Sequence, residues 1–299
     1  MTGSGFLPFR TVSIVGVGLI GGSVGLALRQ RRLANKVVGI GRRMSSLEKA
    51  LEAGAVDEVT LEVEEGVREA ELAVLATPVG VMERLAGRVA SGMPRGGLLT
   101  DVGSTKGLLA QQLQRAVGGS LYYVGSHPMA GSEKRGVEQA RGDLFDGALC
   151  FVTPTEHSPR QAITAVRELW EALGARVRLL TPAEHDRIMA VASHLPHLVA
   201  AALVNLATPS VMDCAGSGFR DTTRIASGDP RMWTDVCMHN RDRLLEALRL
   251  FRLQVDTVMD ILEAERETEL RAWLQSAKAL RDHRFNNPSG GPGERSPQE

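Results

Sequence analysis

Apolar residues in roughly the first 180 positions alternate between short continuous runs and longer stretches with helical spacing. The continuous runs are Thr11–Gly16, Lys36–Gly41, Glu71–Thr77, Gly97–Val102, Leu121–Gly125, Ala148–Thr153 and Arg176–Leu180. The helical stretches between them include Ser45–Ala53, Val79–Ala90, Thr105–Ala116 and Pro159–Leu173. Buried strands that alternate with helices are typical of a parallel sheet covered on both faces. The pattern predicts an α/β domain over residues 1–181.

The strand pattern ends after Pro182. Ala183–Ala207 has helical spacing, Pro209–Gly228 is rich in Gly, Ser and Asp, and a long helical region runs from Pro230 to about Arg284. We therefore predict an all-α domain over residues 182–285. The remaining segment, 286–299, is rich in Pro, Gly and Ser and is predicted to be disordered.

An apolar seam runs along the last helical region, with steps of four and three residues. Its members are Leu244, Leu248, Phe251, Val255, Val258 and Leu262. A seam of this kind packs either against another helix of the same chain or against a second copy. The spacing leaves both interpretations open, and the second predicts a homodimer.

Composition and charge narrow the class of protein. The chain has 299 residues, with 35 Lys and Arg balanced by 35 Asp and Glu, so charge does not favour a nucleic-acid partner. It has neither a signal-peptide pattern nor an uninterrupted apolar run of about 18 residues, so we expect no membrane span. Three scattered cysteines, Cys150, Cys214 and Cys237, fit neither a disulfide framework nor a paired-cysteine zinc site. We expect a cytoplasmic protein of two domains.

A glycine-rich turn follows the first predicted strand. Val12–Val15 leads into Gly16-Val17-Gly18-Leu19-Ile20-Gly21, and a helical pattern follows. In this context Gly16 permits a tight turn, Gly18 a close approach of backbone to pyrophosphate, and Gly21 close packing of helix on strand. The N–H groups at the start of the helix, around Leu19 and Ile20, would face the phosphates. The motif predicts a dinucleotide cofactor.

The end of the second strand predicts which dinucleotide is bound. NAD enzymes normally carry Asp or Glu there to hold the ribose 2′-hydroxyl, whereas this chain has Gly41 followed by Arg42 and Arg43. Guanidinium groups suit the 2′-phosphate of NADP. We predict that NADP is favoured and that NAD is possible; the alternative is that both arginines are solvated loop charges that stack on adenine.

Two further strand ends are predicted to border the nicotinamide, because ligands of open parallel sheets bind at the carboxyl ends of the strands. Thr77 and Pro78 follow one strand, and Asp101 and Ser104 end or follow the next. Thr77-Pro78 also fits a plain strand-to-helix turn with proline at the first helical position.

Polar clusters later in the chain supply candidate chemistry. His127 follows a predicted strand and begins His127-Pro128-Met129-Ala130-Gly131-Ser132-Glu133-Lys134. Ser193-His194-Leu195-Pro196-His197, Arg220-Asp221-Thr222-Thr223-Arg224 and Asp229-Pro230-Arg231-Met232-Trp233 follow. A zinc site of His185, His194 and His197 is the alternative, but acidic or cysteine partners at ligand spacing are missing, so no metal is predicted.

Together with the glycine loop and Asp101-x-Gly-Ser-x-Lys106, these segments resemble the prephenate/arogenate dehydrogenase family. The resemblance runs in order from about Val12 to Trp233 and on into the long helices. It implies a Rossmann-type domain joined to an all-α dimerisation domain, with the active site in the cleft between them. The implied reaction is NAD(P)-dependent oxidative decarboxylation of prephenate to 4-hydroxyphenylpyruvate in tyrosine biosynthesis, or of arogenate to tyrosine.

The resemblance also implies roles for the residues that contact the substrate ring. His127 would accept a hydrogen bond or proton from the 4-hydroxyl, a role that suits neutral imidazole. Ser104 would bridge this hydroxyl and the nicotinamide. Arg224 would bind a substrate carboxylate, for which its planar fork is suited.

The remaining implied contacts surround the substrate side chain. His197 would lie near the pyruvyl group, where an N–H donor favours the keto group of prephenate. Ser132 and Glu133 would belong to the polar loop that closes the pocket, and Asp221 and Trp233 to its edge near the dimer partner. A loop ion pair, a helix cap or a core aromatic are the structural alternatives for Glu133, Asp221 and Trp233.

Overall fold

The computed structural model describes residues 8–131 and 136–285. The chain divides into two compact units at Leu244. The domain boundary predicted at residue 181 stays a prediction, and the segment predicted to be disordered, 286–299, lies outside the described residues.

A six-stranded parallel sheet forms the first part of the chain, in the order β3-β2-β1-β4-β5-β6. Its strands are β1 (Phe9–Val15), β2 (Ala34–Ile40), β3 (Glu58–Thr60), β4 (Leu72–Leu75), β5 (Leu98–Asp101) and β6 (Tyr122–Tyr123). The helices that connect them are α1 (Leu19–Gln30), α2 (Met44–Glu52), α3 (Val63–Gly66), α4 (Val79–Gly92) and α5 (Gly107–Val117). The strand order reverses between β1 and β4, which places a ligand crevice at their carboxyl ends.

Apolar clusters cover both faces of this sheet. Val12 and Ile14 of β1 belong to one cluster, and Val15 of the same strand belongs to the other. Ser13, a buried polar side chain between Val12 and Ile14, donates from Oγ to the Gly66 carbonyl at 2.6 Å. Burial on both faces explains why these strands are continuous apolar runs, and it confirms the predicted α/β class.

The last two predicted strands belong to a separate, mixed sheet rather than to the parallel one. It contains β7 (Gly125–Pro128), β8 (Leu149–Thr153) and β9 (Arg176–Leu179), with α6 (Arg160–Ala172) between the last two. Strands β7 and β8 are antiparallel. His127, which we expected after a strand, lies inside β7 opposite Phe151. Apolar runs identify strands but do not specify their partners.

Helices account for most of the rest. They are α7 (Pro182–Met189), α8 (Leu195–Leu206), α9 (Pro209–Asp213), α10 (Ser217–Thr223), α11 (Pro230–His239), α12 (Arg241–Glu263) and α13 (Glu267–Phe285). A π-helical turn, Ala190–His194, joins α7 to α8 in one continuous helix, Pro182–Leu206. That helix is long and apolar enough to cross a membrane by length and composition, although we expected no such segment. The Gly-rich stretch 209–228 is largely helical, including a 3₁₀ turn at Arg224–Ser227.

The predicted seam lies along α12. Leu244 is buried, but Phe251, Val255 and Leu262 are 39%, 41% and 56% exposed. Within the part of the chain that the structure describes, most of this apolar face is therefore not fully covered.

Candidate active site

The glycine loop, Gly16–Gly21, turns from β1 into α1 at the crevice. Gly16 has φ of +99°, a conformation that favours glycine. A Cβ at Gly21 would lie 2.1 Å from the Gly16 carbonyl oxygen, so the helix can approach only without a side chain there. A Cβ at Gly18 would meet no atom within 4 Å, which leaves open space in front of its backbone at the start of α1. These features fit the pyrophosphate of a dinucleotide.

The residues that follow β4 and β2 lie at the same edge of the sheet as the glycine loop. The Ala76 N–H bonds to the Val15 carbonyl at 2.8 Å and so holds the turn after β4 beside the glycine loop. Thr77 follows, and its buried Oγ1 has no partner among the described residues, as expected of a group that meets a ligand. Arg42 and Arg43 are exposed after β2.

Asp101, which we predicted to bind the cofactor, makes several contacts within the protein. It is fully buried, and its carboxylate accepts from Lys106 Nζ at 2.5 Å, Gly103 N at 2.8 Å and the Tyr123 hydroxyl at 3.0 Å. Burial and the Asp101 charge raise the pKa of Tyr123 well above 10, so its hydroxyl stays a donor. Both carboxylate oxygens are engaged, so Asp101 holds the turn that carries Ser104. Its contact with the cofactor stays a prediction.

Three side chains form what we call the acceptor chain: His127, His185 and Asp186. His127 Nδ1 lies 2.8 Å from His185 Nε2, and His185 Nδ1 lies 2.8 Å from Asp186 Oδ1. A carboxylate only accepts, so His185 Nδ1 carries a hydrogen, and the Nε2 of neutral His185 is an acceptor. Neutral His127 therefore donates from Nδ1 and keeps a lone pair on Nε2.

Burial favours the neutral form of both rings. It lowers the pKa of His127 well below 6.5, and nearby His185, Lys106 and His194 lower it further. Burial also lowers the pKa of His185, although Asp186 opposes the shift. His127 is thus an uncharged acceptor at neutral pH.

A capping box at the start of α7 positions His185 and Asp186, two members of the acceptor chain. Thr181 begins α7 with a capping box, in which the Glu184 N–H donates to Thr181 Oγ1 and the Thr181 N–H donates to the Glu184 carboxylate. His185 and Asp186 follow in the next turn. The Asp186 carboxylate also accepts from the backbone N–H groups of Lys106 and Gly107, each at 2.7 Å, where α5 begins.

A second cluster lies further along the Pro182–Leu206 helix. The rings of His197 and Trp233 stack with centroids 3.3 Å apart, and His194 lies edge-on to the same indole. Asn240 Nδ2 donates to His194 Nδ1 and to the Asp186 carbonyl, at 3.0 and 2.8 Å, and so links the cluster to the acceptor chain. Burial lowers the pKa of His194 to about 4.

We expected His197 to offer the substrate an N–H donor, but the free nitrogen of its neutral ring is an acceptor. Its Nδ1 lies 3.1 Å from the Ser193 carbonyl oxygen, so Nδ1 carries the hydrogen and Nε2 of the neutral ring is an acceptor. Burial lowers the pKa of His197, which favours that neutral form. The donor expected from the sequence exists only when the ring is protonated.

The other predicted substrate residues are distributed around this cluster. Arg224 is exposed in the 3₁₀ turn packed against α8, and it has no ion-pair or hydrogen-bond partner in the described ranges. Asp221 is exposed on α10, and Ser104 is half-buried before α5. Ser132 and Glu133 lie outside the described residues.

Sequence reasoning missed the role of His185 and Asp186. The sequence carries a partial signal: Thr181-Pro182-Ala183-Glu184 fits a capping box, which indicates that a helix begins directly before His185 and Asp186. Among residues 8–131 and 136–285, the structure contains no group of three His, Cys, Asp or Glu that could hold a metal ion.

The strand order, the glycine loop and the histidines that follow the sheet define a Rossmann-type dinucleotide-dependent oxidoreductase with a helical C-terminal part. Two family models match: "Prephenate dehydrogenase, nucleotide-binding domain" over residues 24–179, and "Prephenate dehydrogenase, dimerization domain" over residues 181–276. The chain belongs to the prephenate dehydrogenase family.

Individual relatives agree. A Bacillus subtilis prephenate dehydrogenase is 36% identical over 91% of this chain and 75% of its own length. The crystal structure of Aquifex aeolicus prephenate dehydrogenase in complex with hydroxyphenyl propionate and NAD+ is 33% identical, covers 93% of this chain and 99% of its own, and has a TM-score of 0.87. The Synechocystis arogenate dehydrogenase structure is 31% identical with a TM-score of 0.80, covering 92% of this chain and all of its own.

Proposed function

We propose that this chain oxidatively decarboxylates prephenate to 4-hydroxyphenylpyruvate for tyrosine biosynthesis, with His127 as the hydrogen-bond acceptor for the ring hydroxyl. The observation that carries the proposal is the hydrogen-bonded acceptor chain. It leaves Nε2 of a neutral, half-buried imidazole without a hydrogen, so that this atom can accept one.

The chemistry needs little more than alignment and one acceptor. A bound nicotinamide would supply the acceptor for the hydride of the carbinol carbon. The ring carboxylate would leave as CO2, and its electron pair would complete the aromatic ring. The hydroxyl hydrogen remains in the phenol product, so no proton is released overall. Positive charge grows on that hydroxyl as the hydride departs, and an acceptor at His127 Nε2 stabilises it.

The remaining roles follow the resemblance. Ser104 would bridge the hydroxyl and the nicotinamide, and Arg224 would bind a carboxylate, which its lack of a protein partner in the described ranges supports. His197 and Trp233 would line the side-chain end, with Asp221 at the rim. Ser132 and Glu133 would close the pocket.

For the cofactor, we propose that NADP is preferred over NAD. The strand end at Gly41 offers no carboxylate, and exposed Arg42 and Arg43 have no side-chain partner in the described ranges. A 2′-phosphate would gain charge-assisted hydrogen bonds there. Gly16, Gly18, Leu19, Ile20 and Gly21 would hold the pyrophosphate, and Thr77-Pro78 would border the nicotinamide.

Arogenate is the second candidate substrate, and His197 favours it. Arogenate carries an ammonium in place of the side-chain keto group, and an ammonium only donates. Neutral His197 offers an acceptor at Nε2 because Ser193 binds its other nitrogen. Related enzymes named for either substrate are similar to this chain.

We also propose a homodimer formed through the helical C-terminal region, in the cytoplasm. The match to a dimerization domain and the partly exposed apolar face of α12 support the dimer. Light scattering on the purified protein tests it, and a monomer at micromolar concentration would contradict it.

The test of function is a two-by-two assay: prephenate or arogenate with NADP or NAD, following cofactor reduction and identifying the product by chromatography. We expect 4-hydroxyphenylpyruvate from prephenate, fastest with NADP. Tyrosine formed from arogenate at a higher kcat/KM would make the second candidate the function. No cofactor reduction with either substrate would contradict both.

A further inference from the structure

The acceptor chain joins two parts of the candidate site that are far apart in sequence. His127 lies on β7, His185 and Asp186 lie on α7, and Lys106 and Gly107 begin α5. One carboxylate, that of Asp186, accepts hydrogen bonds from the His185 ring and from both α5 backbone groups. His185 is fully buried and Asp186 nearly so, at 4% exposed, so water does not compete for these bonds.

We propose that His185 and Asp186 are positioning residues for His127. Asp186 orients the His185 ring and fixes its hydrogen on Nδ1, and His185 in turn fixes the His127 hydrogen on Nδ1. The same carboxylate fixes the start of α5, and therefore the turn with Ser104, relative to the His127 ring. This inference rests on the proposed role of His127 in oxidation of the substrate.

The proposal follows from the donors and acceptors available. Without an acceptor at the position of His185 Nε2, neutral His127 could place its hydrogen on either nitrogen. A hydrogen on Nε2 would turn the bare atom into a donor, which cannot accept from the substrate hydroxyl. Phe151 packs edge-on against His185, with ring centroids 5.5 Å apart, and restricts the ring further.

Two amide variants of His185 separate positioning from general support of the fold. In His185→Gln the amide is long enough to place an acceptor near the original Nε2, within reach of His127. In His185→Asn the amide stops near the original Nδ1 and reaches only Asp186. The pair differs by one methylene, so both are buried amides of the same chemistry.

Kinetics provides the first readout. We expect His185→Asn to lower kcat by about 10- to 100-fold, a part of the usual contribution of a general base, with the KM for NADP within about twofold of the wild type. His185→Gln should recover most of the lost kcat. Equal losses of kcat in both variants would mean a purely structural role and would overturn the proposal. So would a higher KM and a lower kcat that accompany a lower melting temperature.

A second readout does not depend on turnover. Long-range ¹H–¹⁵N spectra of protein labelled at its seven histidines distinguish protonated from bare ring nitrogens, and the His127→Gln spectrum assigns the signal. We expect His127 with a hydrogen on Nδ1 in the wild type and in His185→Gln, and a mixture in His185→Asn. A wild-type His127 with its hydrogen on Nε2 would overturn the proposal even if the enzyme is active. The expected tautomer in a protein inactive on both substrates would refute the proposed function alone.

Discussion

The two sides of the candidate site are built in opposite ways. The cofactor edge consists of backbone and small residues within one short segment, Gly16–Gly21, supported by the strand end at Thr77. The acceptor chain consists of polar side chains at positions 127, 185 and 186, and half-buried His127 meets the other two, which are buried, only after folding. The first is therefore local in sequence and tolerant of what surrounds it. The second depends on the relative placement of β7 and α7, and of the start of α5, which bonds to Asp186.

The sharpest test of the acceptor chain is the variant His127→Ala. Removing the acceptor should lower kcat by about 10²–10⁴-fold, the usual contribution of general acid–base catalysis, because charge that develops on the substrate hydroxyl is no longer stabilised. Steady-state kinetics measures it, with circular dichroism to verify the fold. A folded variant that loses less than about tenfold would contradict the role given to His127.

Substitution of Arg224 tests whether the exposed residues at the edge of the candidate site contribute to substrate binding and not to the chemical step. Arg224→Ala should raise the KM for substrate by about 10- to 100-fold, because a charge-assisted hydrogen bond of about 1.5–3 kcal/mol is lost. Arg224→Lys keeps the charge without the fork and should fall between. Unchanged KM in the alanine variant would remove Arg224 from the substrate site.

Arg42 tests the predicted cofactor choice. Arg42→Ala should lower kcat/KM for NADP by about tenfold, the low end for a charge-assisted bond at an exposed site, and leave kcat/KM for NAD within about twofold. The ratio of the two values in the same preparation is the measurement. Comparable values for both cofactors in the wild type, or an unchanged ratio in the variant, would defeat the NADP preference.

Gly18 and Gly21 form a matched pair on the cofactor edge. Gly18→Ala places a methyl group in open space facing the expected pyrophosphate, so the Kd for NADP should rise about fivefold, or about 1 kcal/mol, with no change in the melting temperature of the free protein. Gly21→Ala would clash with the Gly16 carbonyl and should lower the melting temperature. Equal melting temperatures for the two variants would contradict the described packing.

The smallest expected effect is on pH dependence. His127 must be neutral to accept, and its pKa lies below 6.5. Therefore kcat should stay nearly constant from pH 9 down to 6.5 and fall only at lower pH, as His127 becomes protonated. An acid limb centred above pH 6.5 in the kcat profile would show that burial does not control this ring.

The sequence predicted the cofactor edge better than it predicted the acceptor chain. The glycine loop and the parallel strands are visible because turn geometry and burial on both faces constrain neighbouring residues. The separate sheet of β7, β8 and β9 was not visible, since an apolar run does not encode its partner. Asp101 was assigned to the cofactor because it ends a strand, and the motif does not reveal that buried Lys106, five residues on, donates to its carboxylate. The tautomer of His197 depends on a carbonyl one turn away, which a motif does not reveal.

The unbroken Pro182–Leu206 helix carries His185, His194 and His197 on a single rod. Because one helix bears both His185, which supports His127, and His197, the proposed contact to the substrate side chain, it fixes the distance between these two residues. One residue inserted or deleted at the π-helical turn, Ala190–His194, would change that spacing and so the length of substrate that we expect the site to accept. Attempts to widen the substrate range should begin there rather than at the pocket rim.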